Sequence, residues 1–158
     1  MTQGFVVAPD RGQAFAFLGG KAVYKASVEQ TGSWNLAVET SPAGFASALH
    51  VHRTEDSGFY VLEGTIRVHC GDSDWVASQG TFVFLPRGVP HAFRVEGDGP
   101  ATWLNIQGPT GDFRKYVQAI GEPVAPGAEL TADTRTDPAT RAALAQKYNL
   151  EIVGPPPF

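Results

Sequence analysis

The sequence predicts an all-β chain, a small antiparallel sandwich or barrel, with short helices near its C-terminus. Three observations lead there. Short runs rich in β-forming residues recur through the first two-thirds of the chain. Turn residues separate them, and the 18 glycines and 12 prolines are spread along the sequence rather than gathered in one tract. The last third then changes to helical spacing.

Taken in order, "KAVYKASVE" (21–29) alternates and is rich in β formers, and "WNLAVET" (34–40) follows the turn "QTGS". "GFASALHVH" (44–52) runs into the polar "RTED". Then come "GFYVLEG" (58–64), "TIRVHC" (65–70), "GTFVFLP" (80–86), "HAFRVEG" (91–97) and "ATWLNIQ" (101–107). The connections "GDSD", "SQG", "PRGVP" and "EGDGP" carry the turn chemistry. In "GDFRKYVQAI" (111–120), Phe113, Tyr116, Val117 and Ile120 fall at helical spacing. "GEPVAPGAELTADTRT" is a connector, and "DPATRAALAQKYN" (137–149) reads as a helix. Asp137 caps it, Pro138 fits its first turn, and Asn149 tolerates the left-handed conformation that ends it. "LEIVGPPP" is extended and lies along the sheet. The 158 residues thus divide into a barrel with its N-terminal strands and first helix (1–120) and a connector, helix and tail packed on it (121–158).

Composition excludes several functions. A formal charge of −4 gives no electrostatic case for nucleic acid or an anionic membrane surface. The single cysteine, Cys70, forbids an internal disulfide and fits a reducing compartment. No apolar run approaches the roughly 18–20 residues of a membrane span, and the first residues lack the pattern of a signal peptide. A cytoplasmic protein is expected. No nucleophile elbow, phosphate loop or CxxC pair is present.

What remains is histidine chemistry. The chain has four: His50, His52, His69 and His91. His50 and His52 are two apart on one strand, so their side chains leave the same face. His91 opens another strand after "PRGVP". If those strands meet, three imidazoles converge as a first shell for a divalent metal with open positions. Taken singly, each is also accounted for as an ordinary hydrogen-bonded strand residue. His69, with no second ligand near it, is read as one.

Spacing around these residues resembles a family. Gly44, five residues, His50-x-His52 and a closing Gly64 follow the first motif of the cupins. Gly80, five residues, Pro86-x-Gly88, two residues and His91 follow the second. The flanking segments 8–32, 111–123 and 147–156 look like those of quercetin-2,3-dioxygenase-like cupins. The resemblance implies a cupin double-stranded β-helix, a small antiparallel barrel. It also implies one divalent ion (iron, nickel, manganese or zinc) on His50, His52 and His91, and a homodimer.

The departures bear on chemistry. The glutamate ligand of the first motif, which in quercetinase-like members also accepts the substrate's hydroxyl proton, is replaced by Ser57. Asp56 has the wrong strand parity to substitute, and both it and Glu55 are read as part of a solvated turn. Glu55 stays a catalytic candidate beside Ser57. Val95 stands where the second motif commonly has asparagine. Three neutral imidazoles leave a divalent site near about +2, against about +1 with a carboxylate, hence a stronger Lewis acid for an anionic ligand. Strand parity aims Phe59, Val61 and Phe93 inward, and with Val95 they make an apolar pocket for a hydrophobic small molecule; the same positions serve equally as barrel core. Trp34, Trp75 and Trp103 are read as core or dimer residues. The expected activity is a quercetin-dioxygenase-like oxygenase acting on an enolic, phenolic or polyketide-like substrate. A non-redox cyclase, isomerase or lyase, and a non-catalytic binding protein, are the alternatives.

Overall fold

Among the described residues, twelve strands build two antiparallel sheets that face each other. The computed structural model describes residues 3–132 and 136–158, so positions 133–135 of the expected connector lie outside the described residues. In chain order the elements are β1 (Gln13–Phe17), β2 (Gly20–Ala26), α1 (Val28–Thr31), β3 (Asn35–Ser41), β4 (Leu49–His52) and β5 (Asp56–Glu63). Next are β6 (Thr65–Cys70), β7 (Ser73–Ser78), β8 (Phe82–Leu85), β9 (His91–Glu96) and β10 (Ala101–Gly108). The chain closes with α2 (Asp112–Ile120), β11 (Glu122–Val124), α3 (Pro138–Lys147) and β12 (Leu150–Gly154). One sheet runs β11-β1-β2-β3-β10-β5-β8 and the other β12-β4-β9-β6-β7.

Alternation explains the stacking. β3 buries Asn35, Ala37, Glu39 and Ser41, and β10 buries Ala101, Trp103, Asn105 and Gln107, each at every second residue. Between the sheets, Phe59, Val61, Ile66, Val68, Leu85, Val95 and Trp103 form the main core. The Trp103 ring packs 5.7 Å from Phe59 and 5.0 Å from Phe93 between centroids.

Five elements differ from the sequence reading, α1 among them, since Val28 and Glu29 of the run 21–29 open a short helix instead of closing a strand. The run 44–52 is a strand only at its end; before it, Gly44–Ala48 follows β9 irregularly, with Ser47 N–H donating to Phe93 O (2.9 Å) and Val95 N–H to Phe45 O (2.8 Å). β7 pairs with β6 although "SDWVAS" lacks alternation, because it is an edge strand with Asp74, Trp75 and Val76 all exposed. β1 and β11, too short to announce themselves, extend the larger sheet. The helix at 138–147 is as expected: the Asp137 carboxylate accepts from Thr140 N–H at 2.9 Å, Pro138 opens the first turn, and Asn149 takes φ 59°. The tail does lie along the sheet, since β12 pairs with β4 and sets Leu150 opposite His52 and Ile152 opposite His50.

Two glycines fix turns of the barrel, and the second is bonded to a histidine strand. Gly64 turns β5 into β6 at φ 78°, and a Cβ there would fall 2.7 Å from Pro100 O. Gly88, also at φ 78°, donates its N–H to His52 O at 2.8 Å and so ties the turn before His91 to β4.

Candidate functional site

β4 and β9 pair antiparallel with His50 directly opposite His91, and His52 leaves β4 on the same side as His50. The three rings therefore meet. Centroids are 4.5 Å apart for His50–His91, 5.1 Å for His50–His52 and 5.2 Å for His52–His91. One nitrogen from each ring lies within 4.8 Å of the others.

Their protonation follows from their surroundings. His50 Nδ1 lies 2.8 Å from Ala48 O and His91 Nδ1 lies 3.0 Å from Val89 O. A carbonyl only accepts, so both Nδ1 atoms carry the proton and both Nε2 atoms carry a lone pair. Burial lowers the pKa of all three: His50 below its ordinary value, His91 to about 3, and His52 well below, with the charges of His50 and His91 adding to the effect. His52 Nδ1 is buried with no hydrogen-bond partner among the described residues. Neutral rings, two of them oriented by backbone carbonyls, are the donor set a divalent ion requires, so these residues fit a metal.

The triad opens on a cavity of about 550 Å³ between the two sheets. Phe45, Phe59 and Phe93 give it apolar walls, and Pro138, Arg141, Ala142 and Ala145 of α3 close one side. The wall opposite the histidines is polar. Ser57 of β5, Glu39 of β3, and Asn105 and Gln107 of β10 all line it. Cross-strand register sets Gln107 opposite Ser57, and Gln107 Nε2 donates to Ser57 Oγ at 3.0 Å. Asn105 Nδ2 donates to Glu39 Oε1 at 2.8 Å. Burial raises the Glu39 carboxyl to about 7, against the Asn105 hydrogen bond, which favours the ionised form. Asn105 Oδ1 is buried without a partner among the described residues.

Several expectations are corrected. Glu55 is not in a solvated turn: it is 1% exposed and carries its carboxylate beneath α2, where Oε2 accepts from Phe113 N–H at 2.8 Å. The N-cap residue, Gly111, offers no side chain, so Glu55 supplies the missing acceptor from β4–β5. It does not line the cavity, and burial lifts its pKa to about 7. Asp56 begins β5 and pairs with Arg87 at 2.7 Å. Phe59 and Phe93 line the cavity, but Val61 and Val95 do not; both sit in the core between the sheets. Trp103 is core, whereas Trp34 and Trp75 are exposed. Glu39, Asn105 and Gln107 were missed, although period-2 parity in "NLAVETS" and "ATWLNIQG" puts polar residues on the same face as Ala37 and Trp103.

Known proteins agree on the fold. Residues 37–107, which hold all three histidines, Glu39 and Asn105, match the family described as "Cupin domain". No curated protein sequence matches the chain. Among solved structures, KdgF from Halomonas sp. superposes with a TM-score of 0.62 at 17% identity, covering 72% of this chain and 99% of that one. A predicted oxalate decarboxylase from Thermotoga maritima gives 0.59 at 20% identity, covering 67% and 99%. A cupin-superfamily sugar phosphate isomerase from Silicibacter pomeroyi gives 0.57 at 18%, covering 66% and 75%. At these identities the likeness is one of fold. No helix among the described residues is long and apolar enough to cross a membrane.

Proposed function

We propose that this cupin-fold chain is a metal-dependent enzyme acting on a small, hydrophobic enolic, phenolic or polyketide-like molecule. One observation carries the reading: three neutral imidazoles and a buried carboxyl, Glu39, line the same cavity from opposite sheets. His50, His52 and His91 would hold one divalent ion, which when bound supplies Lewis acidity toward a substrate oxygen. The chain's own residues do the rest. The ionised Glu39 carboxylate accepts the substrate's acidic proton at its Oε, and the protonated form returns it. A pKa of about 7 keeps both forms present at neutral pH. Asn105 Nδ2 holds that carboxyl in place, and Phe45, Phe59 and Phe93 orient an apolar substrate and exclude water.

This arrangement supports proton transfer most directly, and with it a non-redox isomerase, cyclase or lyase. The oxygenase is the second reading. What favours it is the aromatic wall beside the histidines, together with imidazole ligands that suit iron and nickel as well as zinc. Elemental analysis of the purified chain, followed by NMR of deuterium exchange into a cyclic 1,3-diketone, tests both. We expect one ion per chain and catalysed exchange without oxygen consumption. A metal-free chain that takes up no ion on titration sinks the proposal; oxygen uptake with a flavonol or diketone moves it to the second reading.

We further infer a homodimer through the outer face of β5, β8 and β10. Tyr60, Phe82, Phe84 and Ile106 are exposed there as neighbours in register, an apolar patch at a sheet edge.

A further inference from the structure

The charges inside the cavity run against those of the chain. The chain is net negative at −4, yet the charged residues lining the cavity, among those described, are Lys21, Arg141 and Glu39. Glu39 is held by Asn105, and the Lys21 Nζ donates to Pro126 O at 2.7 Å and to Ala128 O at 2.6 Å, so that lysine fastens the connector. Arg141 differs. It is half-buried, and its guanidinium has no hydrogen-bond or ion-pair partner among the described residues.

Its position on α3 is the second observation. Pro138, Arg141, Ala142 and Ala145 all line the cavity, a spacing of i, i+3, i+4 and i+7. These residues share one face of α3, on which Ala145 is buried, Arg141 is half-buried, and Pro138 and Ala142 stand exposed at the rim of the cavity. Arg141 is thus a cation on the one face of α3 that borders the cavity.

We infer that Arg141 anchors an anionic group of the ligand, and that the substrate is a small apolar molecule ending in a carboxylate. One unpartnered guanidinium matches one carboxylate in bidentate geometry, and the cavity it shares with the histidines is also lined by Phe45, Phe59 and Phe93. Arg141 is thus a positioning residue: it holds the acid end while the acidic proton faces Glu39. The inference rests on the reading of this cavity as the substrate site.

The test is calorimetric binding of 4-phenylbutyrate and its neutral amide, first to chain stripped of metal by chelation and then to zinc-loaded chain. We expect the acid to bind the stripped wild type about tenfold more tightly than the amide. Arg141→Gln should abolish that preference while leaving the amide's affinity unchanged, which also reports an intact cavity. Arg141→Lys should keep part of it. Equal affinities for wild type, a preference that survives Arg141→Gln, or binding of neither compound overturns the inference. A preference that appears only with zinc and vanishes in His91→Ala also overturns it, while supporting the metal site. An Arg141-dependent preference in a chain that binds no metal has the reverse meaning: the anchor stands and the proposed enzyme falls.

Discussion

The two walls of the cavity are built by the same rule and were not equally visible. On β4 and β9, paired strands present His50, His52 and His91. On β3, β10 and β5, paired strands present Glu39, Asn105, Gln107 and Ser57. The first wall is made of a rare residue type in a fixed spacing with glycines around it. The second is made of common residue types whose only peculiarity is that they face inward. The difference matters because the resemblance placed the acid on β5, at position 57, whereas the carboxyl that lines this cavity stands two strands away in the same sheet, on β3. Binding an ion and moving a proton are thereby assigned to different sheets, and substitutions can separate them.

The largest effect should come from the imidazole wall. Removing one of three ligands leaves two nitrogens, too few to hold an ion against water. His91→Ala should lower divalent-metal affinity by at least about 100-fold and abolish catalysed exchange, read by elemental analysis and by titration with zinc. Retention of one tightly held ion would mean that the ligands lie elsewhere.

Next comes the opposite wall. Glu39→Gln keeps the shape and the hydrogen bond from Asn105 but cannot accept a proton. The exchange rate should fall by roughly 10²–10⁴-fold with metal content unchanged, and the rise of rate through pH 7 should disappear. An undiminished rate removes Glu39 from the chemistry. Loss of the metal together with the rate would mean that the two walls are not separable.

How much could be read beforehand depends on what each residue must satisfy locally. The histidine triad was legible because Pro86 and Gly88 mark the turn that leads into His91 and is tied to β4, and turn chemistry is written in neighbouring residues. The parity of Ser57, Phe59 and Val61 was legible as well, since all three are buried. How deep each one lies was not. Alternation says which face a side chain takes but not how far along the strand the cavity ends, so Val61 and Val95 were placed in the pocket when they belong to the core. Glu55 was misplaced for a similar reason. Its hydrogen-bond partner is Phe113, 58 residues away, and a carboxylate in "RTED" reads as solvated unless that helix is known to descend on it. Glu39 was missed because a buried carboxyl contradicts its own propensity; only the register of β3 against β10, which brings Asn105 to it, makes the burial tolerable.

Stability should also distinguish the walls. Glu39 and Glu55 are both raised to about 7 from an ordinary value near 4.5. Between those values the folded chain keeps protons that the unfolded chain has released. Each group's contribution is therefore fully present below about 4.5, falls as pH rises, and is lost above about 7. The buried histidines slope the other way, because their folded forms hold fewer protons than their unfolded forms. Comparing variants isolates the carboxyl. On metal-stripped protein, Glu39→Gln should gain on wild type by an amount of order 3 kcal/mol between pH 5 and pH 8, measured by denaturant unfolding at each pH. A constant difference across that range would mean that Glu39 titrates normally and that the opposite wall is wetter than its burial implies.

The smallest effect should come at the position where the resemblance expected the acid. Ser57 Oγ accepts a hydrogen bond from Gln107 Nε2, and a neutral hydroxyl is neither a strong metal ligand nor a base at neutral pH. Ser57→Ala removes the acceptor and leaves a buried amide N–H unpaired, a loss of about 1–2 kcal/mol in stability. It leaves the triad and Glu39 in place, so metal content should not change and the exchange rate should fall less than tenfold. The informative comparison is with Glu39→Gln under the same conditions. If Ser57→Ala matches that loss, the proton passes along β5 and β10 rather than through β3. If it does not, the serine is part of the scaffold that holds Gln107, and the chemistry the resemblance assigned to position 57 has its counterpart two strands away, on β3.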